Sequence, residues 1–495
     1  MADEHASVLT EPLLGMWSVE GCANQHAGVL AYEDTRLQLK LFIEGATSQG
    51  KEWRHPTLDA LRPPNQTTCI GLTSRAGQVT LLRCAQTHLN ASFKPSDGSA
   101  RIELTLVPTQ AWSGSALVDP TGSYTSLSFT AAGLHNILAN ARVQPELFLQ
   151  SETALDNTLR QQLRATTQAD DAYLVYKSRT PTATISHRGK ELEIQFSTSI
   201  SESHSSNTGI NVRSRDTIHI SAPSATIDEL LAVKYEIEQF LSILCVGKFV
   251  AQNITVQRST FDMGAILLWQ LGQDDDVETV ERLPHQVLAT LGQQPDLTEA
   301  AIRRWFEASE QRRVARGLVY DTLGENTFSN ARFLALAQAW EIIGRELSTY
   351  LKHEKSLFTK ACDEAGEALQ KHLAPETAER LKRMLKSNNQ PNFRTLVDEC
   401  LKTAPPYAVS KLCGDATKFA RSVSNTRNLL THFDFEDGRQ DDLYRAFRVS
   451  LHLTYKLTVL FCILEAQWLR LPLNNLPMML ANNTMAIGAT RSIPE

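Results

Sequence analysis

The sequence predicts an α+β multidomain chain in which an antiparallel β-rich region, sandwich- or barrel-like, precedes an all-α helical bundle. Three observations carry that expectation. Apolar residues fall at every second position in Leu37-Gln38-Leu39-Lys40-Leu41 and in Arg101-Ile102-Glu103-Leu104-Thr105-Leu106, the period that turns one face of a strand to a core and the other to water. No long helical period interrupts the first third of the chain, and from Pro295 onward the helical period prevails. The length of 495 residues corresponds to several domains, since a domain takes about 100 to 200 residues. With 42% hydrophobic and 21% charged residues, the composition excludes collagen, a coiled-coil rod and wholesale disorder.

The elements follow in order. Turn chemistry at Arg62-Pro63-Pro64-Asn65 and Ser96-Asp97-Gly98 separates half-buried strands, giving a β-rich domain over 10–155. Strands recur at Glu191 to Phe196 and Thr217 to Ile220, around a hydroxyl-rich loop from Ser197 to Gly209. Thr226 and Glu229 have the spacing of a capping box, Leu230, Val233, Ile237, Leu241 and Leu244 give its helix an apolar stripe, and Gly247 is expected to close it in the left-handed conformation. Residues 156–280 thus form a mixed region of strands plus a helix. The acidic run Asp274-Asp275-Asp276 with Glu278 and Glu281 reads as a solvated connector. A connecting helix over 295–325 opens at Asp296-Leu297-Thr298-Glu299, and a helical domain spans 326–472. Its first long helix, Phe328 to Tyr350, carries Phe333, Leu336, Trp340, Ile343 and Leu347 at steps of three and four. Further helices are expected over 356–373, 376–387, 393–403, 406–432 and 441–469, and 473–495 reads as a tail.

Other function classes find little support. The longest apolar block, Leu457 to Leu464, falls well short of the roughly 20 residues of a membrane span. The acidic N-terminus lacks the form of a secretory signal, and the eight dispersed cysteines form no C-x-x-C pair. Reduced thiols in a cytoplasm are the expectation, with no membrane partner. A net charge of -6 means that any nucleic-acid site must be local. No Walker loop, G-x-G-x-x-G or G-x-S-x-G motif occurs, and Cys400, Cys413 and His372 do not have zinc-site spacing, so no cofactor and no metal is expected. Trp17, Trp53 and Trp112 read as core.

One segment stands apart, Ser424 to Phe433, in which Arg427, Asn428 and His432 lie within six positions. On a helix Asn428 and His432 share a face, so the amide can fix the imidazole tautomer. Arg427 is close enough round the helix for its side chain to bind a phosphate beside that imidazole, which would exchange a proton near neutral pH. An arginine and a histidine at a helix C-terminus equally satisfy the negative end of the helix dipole. Spacing alone leaves both readings open.

The long first helix, the intervening helices, the segment Arg427-Asn428-Leu429-Leu430-Thr431-His432 and a long last helix from Asp441 to Leu469 together resemble a HEPN domain. The R-x(4 to 6)-H motif of that family, with a polar residue after the arginine, is matched without departure. Gly15-Met16-Trp17, Gly28-Val29-Leu30-Ala31-Tyr32, Leu37-Gln38-Leu39, Ile70-Gly71-Leu72-Thr73 and Val79-Thr80-Leu81-Leu82 look like the ApeA N-terminal domain. The pair resembles the ApeA family of anti-phage proteins. The resemblance implies a metal-independent endoribonuclease, active as a homodimer or higher homo-oligomer, in which the ribose 2′-hydroxyl is the nucleophile. It makes Arg427 and His432 catalytic, Asn428 supporting, and Glu341 on the first helix a candidate acidic member. Glu376 to Arg427 contains ten basic and five acidic residues, a local excess of +5. Lys418 and Arg421 are the expected RNA-backbone contacts there. The implied partners are RNA and an unknown phage trigger. The alternative is a non-catalytic HEPN module that binds RNA or protein, with the β-rich domain as its recognition element.

Overall fold

The structure, a computed structural model, describes residues 9, 11–33, 36–49, 52–55, 57–58, 67–94, 99–114, 117–138, 144–148, 173–177, 181–205, 209–259, 264–271, 282–292, 294–323, 329–348, 355–387, 391–431 and 440–490. The chain divides into two compact units. The first comprises Met1–Glu238 with Val250–Thr279, the second Gln239–Phe249 with Val280–Glu495.

The first unit is built on strands β1 (Leu13–Val19), β2 (Gln25–Glu33), β3 (Arg36–Gln49), β4 (Glu52–Arg54), β5 (Thr67–Thr73), β6 (Gly77–Lys94), β7 (Ser99–Val107) and β8 (Gln110–Gly114). These are followed by β9 (Tyr124–Thr130), β10 (Gln144–Phe148), β11 (Tyr173–Lys177), β12 (Thr182–His187), β13 (Lys190–Ser205), β14 (Gly209–Ala225), β15 (Gln252–Gln257) and β16 (Ala265–Gln270). Among the described residues all pairings are antiparallel. Because β7 pairs with both β3 and β6, the strands β5-β1-β2-β3-β7-β6 close on themselves. The expected barrel-like architecture is therefore present as a closed ring, which leaves no open edge within it. Inward residues of these strands, among them Leu13, Trp17, Leu39, Leu41, Val79, Leu81, Ile102 and Leu104, form one buried cluster. β6 makes the closure possible by changing partner along its length. Val79 to Leu82 pair with β8, whereas Ala85 to Lys94 pair with β7. Between them Arg83 has a left-handed φ of 53°, the kind of local kink that turns a barrel corner.

From β8 the sheet continues through β16, β15, β9, β14, β13 and β12. Since β9 lies between β14 and β15, residues of 10–155 and of 156–280 share one sheet. β10 and β11 form a separate two-stranded ribbon. Trp17 and Trp112 are fully buried, as expected of core residues. The side chain of Trp53 lies outside the described residues.

A short helix α1 (Leu134–Ile137) and α2 (Ile227–Cys245) complete the first unit's chain, and α2 runs on into the second. Its capping box is present: the Glu229 N–H donates to Thr226 Oγ1 at 3.3 Å, and the Thr226 N–H donates to Glu229 Oε2 at 2.8 Å. Its C-terminus differs from expectation. The left-handed residue is Val246, with φ 48°, not Gly247. The Gly247 N–H instead closes back onto the Ser242 carbonyl at 3.2 Å. A Cβ on Gly247 would stand 3.3 Å from the buried Arg282 guanidinium, so the glycine serves close approach.

The second unit continues with α3 (Pro295–Phe306), α4 (Glu310–Leu323), α5 (Asn330–Leu347), α6 (Lys355–Gln370), α7 (Pro375–Ser387) and α8 (Phe393–Thr403). Then come α9 (Pro406–Cys413), α10 (Ala416–Thr431), α11 (Gln440–Trp468), α12 (Leu476–Asn482) and α13 (Thr484–Thr490). The single helix expected over 406–432 is two helices. Gly414, at φ 65°, ends α9, and the Asp415 carboxylate accepts from the Lys418 N–H at 2.9 Å to start α10. The single connecting helix expected over 295–325 is two helices, α3 and α4, with a break between Phe306 and Glu310, and Thr298 bonds the Leu291 carbonyl at 2.6 Å rather than capping. Residues 473–495, expected as a tail, carry α12 and α13. The fully buried Asn483 fixes them: its Oδ1 accepts from the Met485 N–H at 3.0 Å, and its Nδ2 donates to the Cys245 and Gln286 carbonyls at 3.0 and 2.9 Å.

α11 is, among the described residues, the one helix long and apolar enough by composition to cross a bilayer, yet 67% of its apolar window is buried within the structure. Trp340 Nε1 donates to its Leu457 carbonyl at 3.1 Å, tying α5 to its middle. Arg312 and Arg316 of α4, both about fully buried, reach Glu465 of α11 at 2.6 and 2.8 Å. Arg312 also meets Glu346 of α5 at 3.1 Å. A buried guanidinium is tolerated only when paired this way.

Candidate functional site

α5 and α10 each bury one stripe and carry a charged residue at its rim. On α5 the Ser329 hydroxyl caps the helix by accepting from the Arg332 N–H, and Phe333, Leu336, Ala337, Trp340, Ile343 and Gly344 face the core. Glu341 is the next residue round from Trp340. On α10 the buried face is Phe419, Ala420, Val423 and Thr426, and Arg427 follows Thr426 in the same manner. Gly344 lets the neighbouring α8 come close, since a Cβ there would stand 2.7 Å from Leu396 Cβ. The Asn392 side chain caps α8 by accepting from the Thr395 N–H at 2.9 Å, which sets Phe393 as its first residue.

This scaffold brings together Glu341, Arg427, Arg345 and Phe393. Arg427 Nη2 lies 3.5 Å from Glu341 Oε2, with the two side chains 32% and 26% exposed. Arg345 Nη2, one turn on from Glu341, donates to its other oxygen at 2.7 Å. The Arg427 guanidinium also lies 5.4 Å from the centre of the Phe393 ring, within cation–π range. A carboxylate between two half-exposed guanidiniums holds them loosely, because solvent screens the pairs to about 0.2–1 kcal/mol each. An anion with several oxygens can therefore compete for either arginine at small cost.

Asn428 is exposed at the next position of α10. His432 lies outside the described residues, as do Phe328 and Tyr350. The carbonyls of Arg427 and Asn428 accept from Thr431 Oγ1 at 2.9 and 3.4 Å, closing the last turn of α10. Lys418 and Arg421 are both exposed, on the first two turns of the same helix. Two members escaped the sequence reading. Arg345 had a signal, four residues after Glu341 on one helix face. Phe393 had none, since its approach to Arg427 depends on how α8 packs. Among the described residues no three His, Cys, Asp or Glu side chains are grouped to hold a metal ion.

Residues 334–466 match the family model described as Apea-like HEPN. The match starts within α5 and ends within α11, so Glu341, Phe393 and Arg427 all fall inside it. The resemblance to a C-terminal HEPN domain following a β-rich region thus stands on a family match as well as on the motif. No curated protein and no solved structure matches the chain.

Proposed function

We propose that the chain is a HEPN endoribonuclease acting in the cytoplasm in defence against phage, with RNA cleaved by attack of its own 2′-hydroxyl. The observation that carries this reading is the meeting of Arg427 and Glu341 at 3.5 Å, across two helices inside the HEPN-matched segment. Arg427 exchanges its loose hold on Glu341 for the oxygens of the scissile phosphate and offsets the charge that grows there. His432 takes the proton from the 2′-hydroxyl or gives one to the leaving 5′-oxygen. The phosphorus–oxygen bond to the 5′-carbon side breaks as the bond to the 2′-oxygen forms, leaving a 2′,3′-cyclic phosphate and a 5′-hydroxyl. Asn428 orients the imidazole, and Lys418 and Arg421 hold neighbouring phosphates. DNA, which lacks the nucleophile, is spared. The β-rich unit serves recognition and restraint, since a nuclease active on host RNA must be silent before infection.

The test is incubation of purified protein with total RNA in EDTA, comparing wild type with His432→Ala and Arg427→Ala. Cleavage by wild type, with cyclic-phosphate ends, and a loss of about a hundred- to ten-thousandfold in each variant is expected. Equal cleavage by either variant would sink the catalytic assignment. RNA binding without cleavage would leave the non-catalytic module in its place.

A further inference from the structure

The second unit contains a cavity of 490 Å³ that the ribonuclease reading does not use. Its size lies within the range of about 300–1,000 Å³ that accommodates a small organic ligand. Leu464 and Trp468 of α11 supply part of an apolar wall, Arg304 of α3 and Arg470, two residues beyond α11, line it with positive charge, and Arg312 of α4, paired with Glu346 and Glu465, lies beside them. Glu307 is the one acid among the lining residues.

Two of these arginines are placed in ways that their structural roles do not exhaust. The Arg312 side chain is 2% exposed. Its Nε donates to both Glu346 oxygens at 3.1 Å, and its Nη1 donates to Glu465 at 2.6 Å. Among the described residues its third nitrogen, Nη2, makes no hydrogen bond, so a buried guanidinium on the cavity wall keeps donor capacity for an incoming acceptor. Arg470 occupies a backbone position suited to glycine. Its φ is 59°, and the chain closes α11 through bonds from the Arg470 N–H to Gln467 O at 2.9 Å and from the Leu471 N–H to Ala466 O at 3.0 Å. Such a left-handed closure strains any residue with a Cβ. The helix end does not require a cation there, since Arg304 Nη1 already donates to the Leu469 carbonyl at 2.7 Å. Among the described residues the Arg470 guanidinium has no hydrogen bond or ion pair.

We propose that this cavity binds a nucleoside phosphate. The forked donors of Arg470 and the remaining Nη2 of Arg312 fit phosphate oxygens, and the aliphatic wall of Leu347 and Leu464 takes the planar base, the Trp468 ring already carrying the Arg312 guanidinium at 4.2 Å. The site is separate from that of Arg427, and the inference stands whether or not the chain cleaves RNA.

The full-length protein is titrated calorimetrically with AMP, ADP, ATP and inorganic phosphate. At least one nucleotide is expected to bind with Kd below about 1 mM, more tightly than phosphate alone. Arg470→Gly and Arg470→Asn, both of which suit the left-handed backbone and leave Tm unchanged or raised, should each weaken that binding at least tenfold, as expected for loss of a charge-assisted contact. Arg427→Ala should bind as wild type. The proposal is overturned by absence of binding to all three nucleotides, by phosphate binding as tightly as any of them, or by undiminished affinity in the two Arg470 variants. Loss of binding in Arg427→Ala would overturn it too, by placing the nucleotide at the other site.

Discussion

Glu341 accepts from two guanidiniums on opposite oxygens, Arg345 at 2.7 Å and Arg427 at 3.5 Å. In the proposed reaction the longer contact is the one that RNA replaces. Glu341→Gln keeps the shape and removes the charge that aims Arg427. Single-turnover cleavage should slow by about ten- to a hundredfold, as for loss of a group that orients a reacting one, while RNA binding is unchanged or tighter because an acid has left the site. An unchanged rate would remove Glu341 from the machinery and leave it an ordinary rim carboxylate.

If two copies of the Arg427 and His432 pair must converge, the exposed face of α10 at Asn428 is a self-complementary contact between protomers. Specific activity should then fall on dilution through the dimer dissociation constant. Light scattering alongside RNA cleavage checks this; a monomer with constant activity per chain contradicts it.

Glu465 holds two buried guanidiniums, Arg312 at 2.6 Å and Arg316 at 2.8 Å. Glu465→Gln removes the negative charge that these two buried side chains share. A loss of about 3–5 kcal/mol is expected, the usual cost of breaking a buried pair from one side. Urea denaturation monitored by helical circular dichroism would measure it.

Burial pushes the thiols of Cys245 and Cys400 up to about 12, from an ordinary value of 9.0. Both should resist iodoacetamide in the native protein at pH 8 and react once it is unfolded, as mass spectrometry of the modified peptides would report. The linkage has a definite sign. Below about pH 9 these thiols are neutral in both states and contribute no pH dependence. Above it they ionise in the unfolded chain but not in the folded one, so stability falls as pH rises toward 12.

Much of this fold was legible in periodicity. The strands of the barrel, the Thr226–Glu229 cap and the apolar stripes of α5 and α11 are local patterns that packing reinforces. The closure of six strands into a ring was not legible, because it depends on β6 switching partner at Arg83, a property of pairing rather than of any window of sequence. The break between α9 and α10 had a signal, Gly414 followed by Asp415, a stop and a start that the apolar period on either side outweighed. The two helices near the C-terminus had less: Asn483 orders them through carbonyls at Cys245 and Gln286, far away in the chain. At the site, the motif pointed to Arg427 and helix order to Glu341. Arg345 and Phe393 needed the helices in place.

Helix α2 bears on any attempt to separate the proposed recognition and cleavage roles. Its residues up to Glu238 belong to the first unit, whereas Gln239 to Phe249 belong to the second. Phe240 there packs edge-on against Trp305 with ring centres 5.5 Å apart, and the Cys245 carbonyl receives Asn483. The chain thus passes between the units at three points, and no single scission releases either of them whole. A fragment beginning near residue 295 lacks an internal piece of its own core, so inertness in such a fragment would speak first of a missing half-helix. The smallest faithful dissection keeps Gln239 to Phe249 attached by a linker.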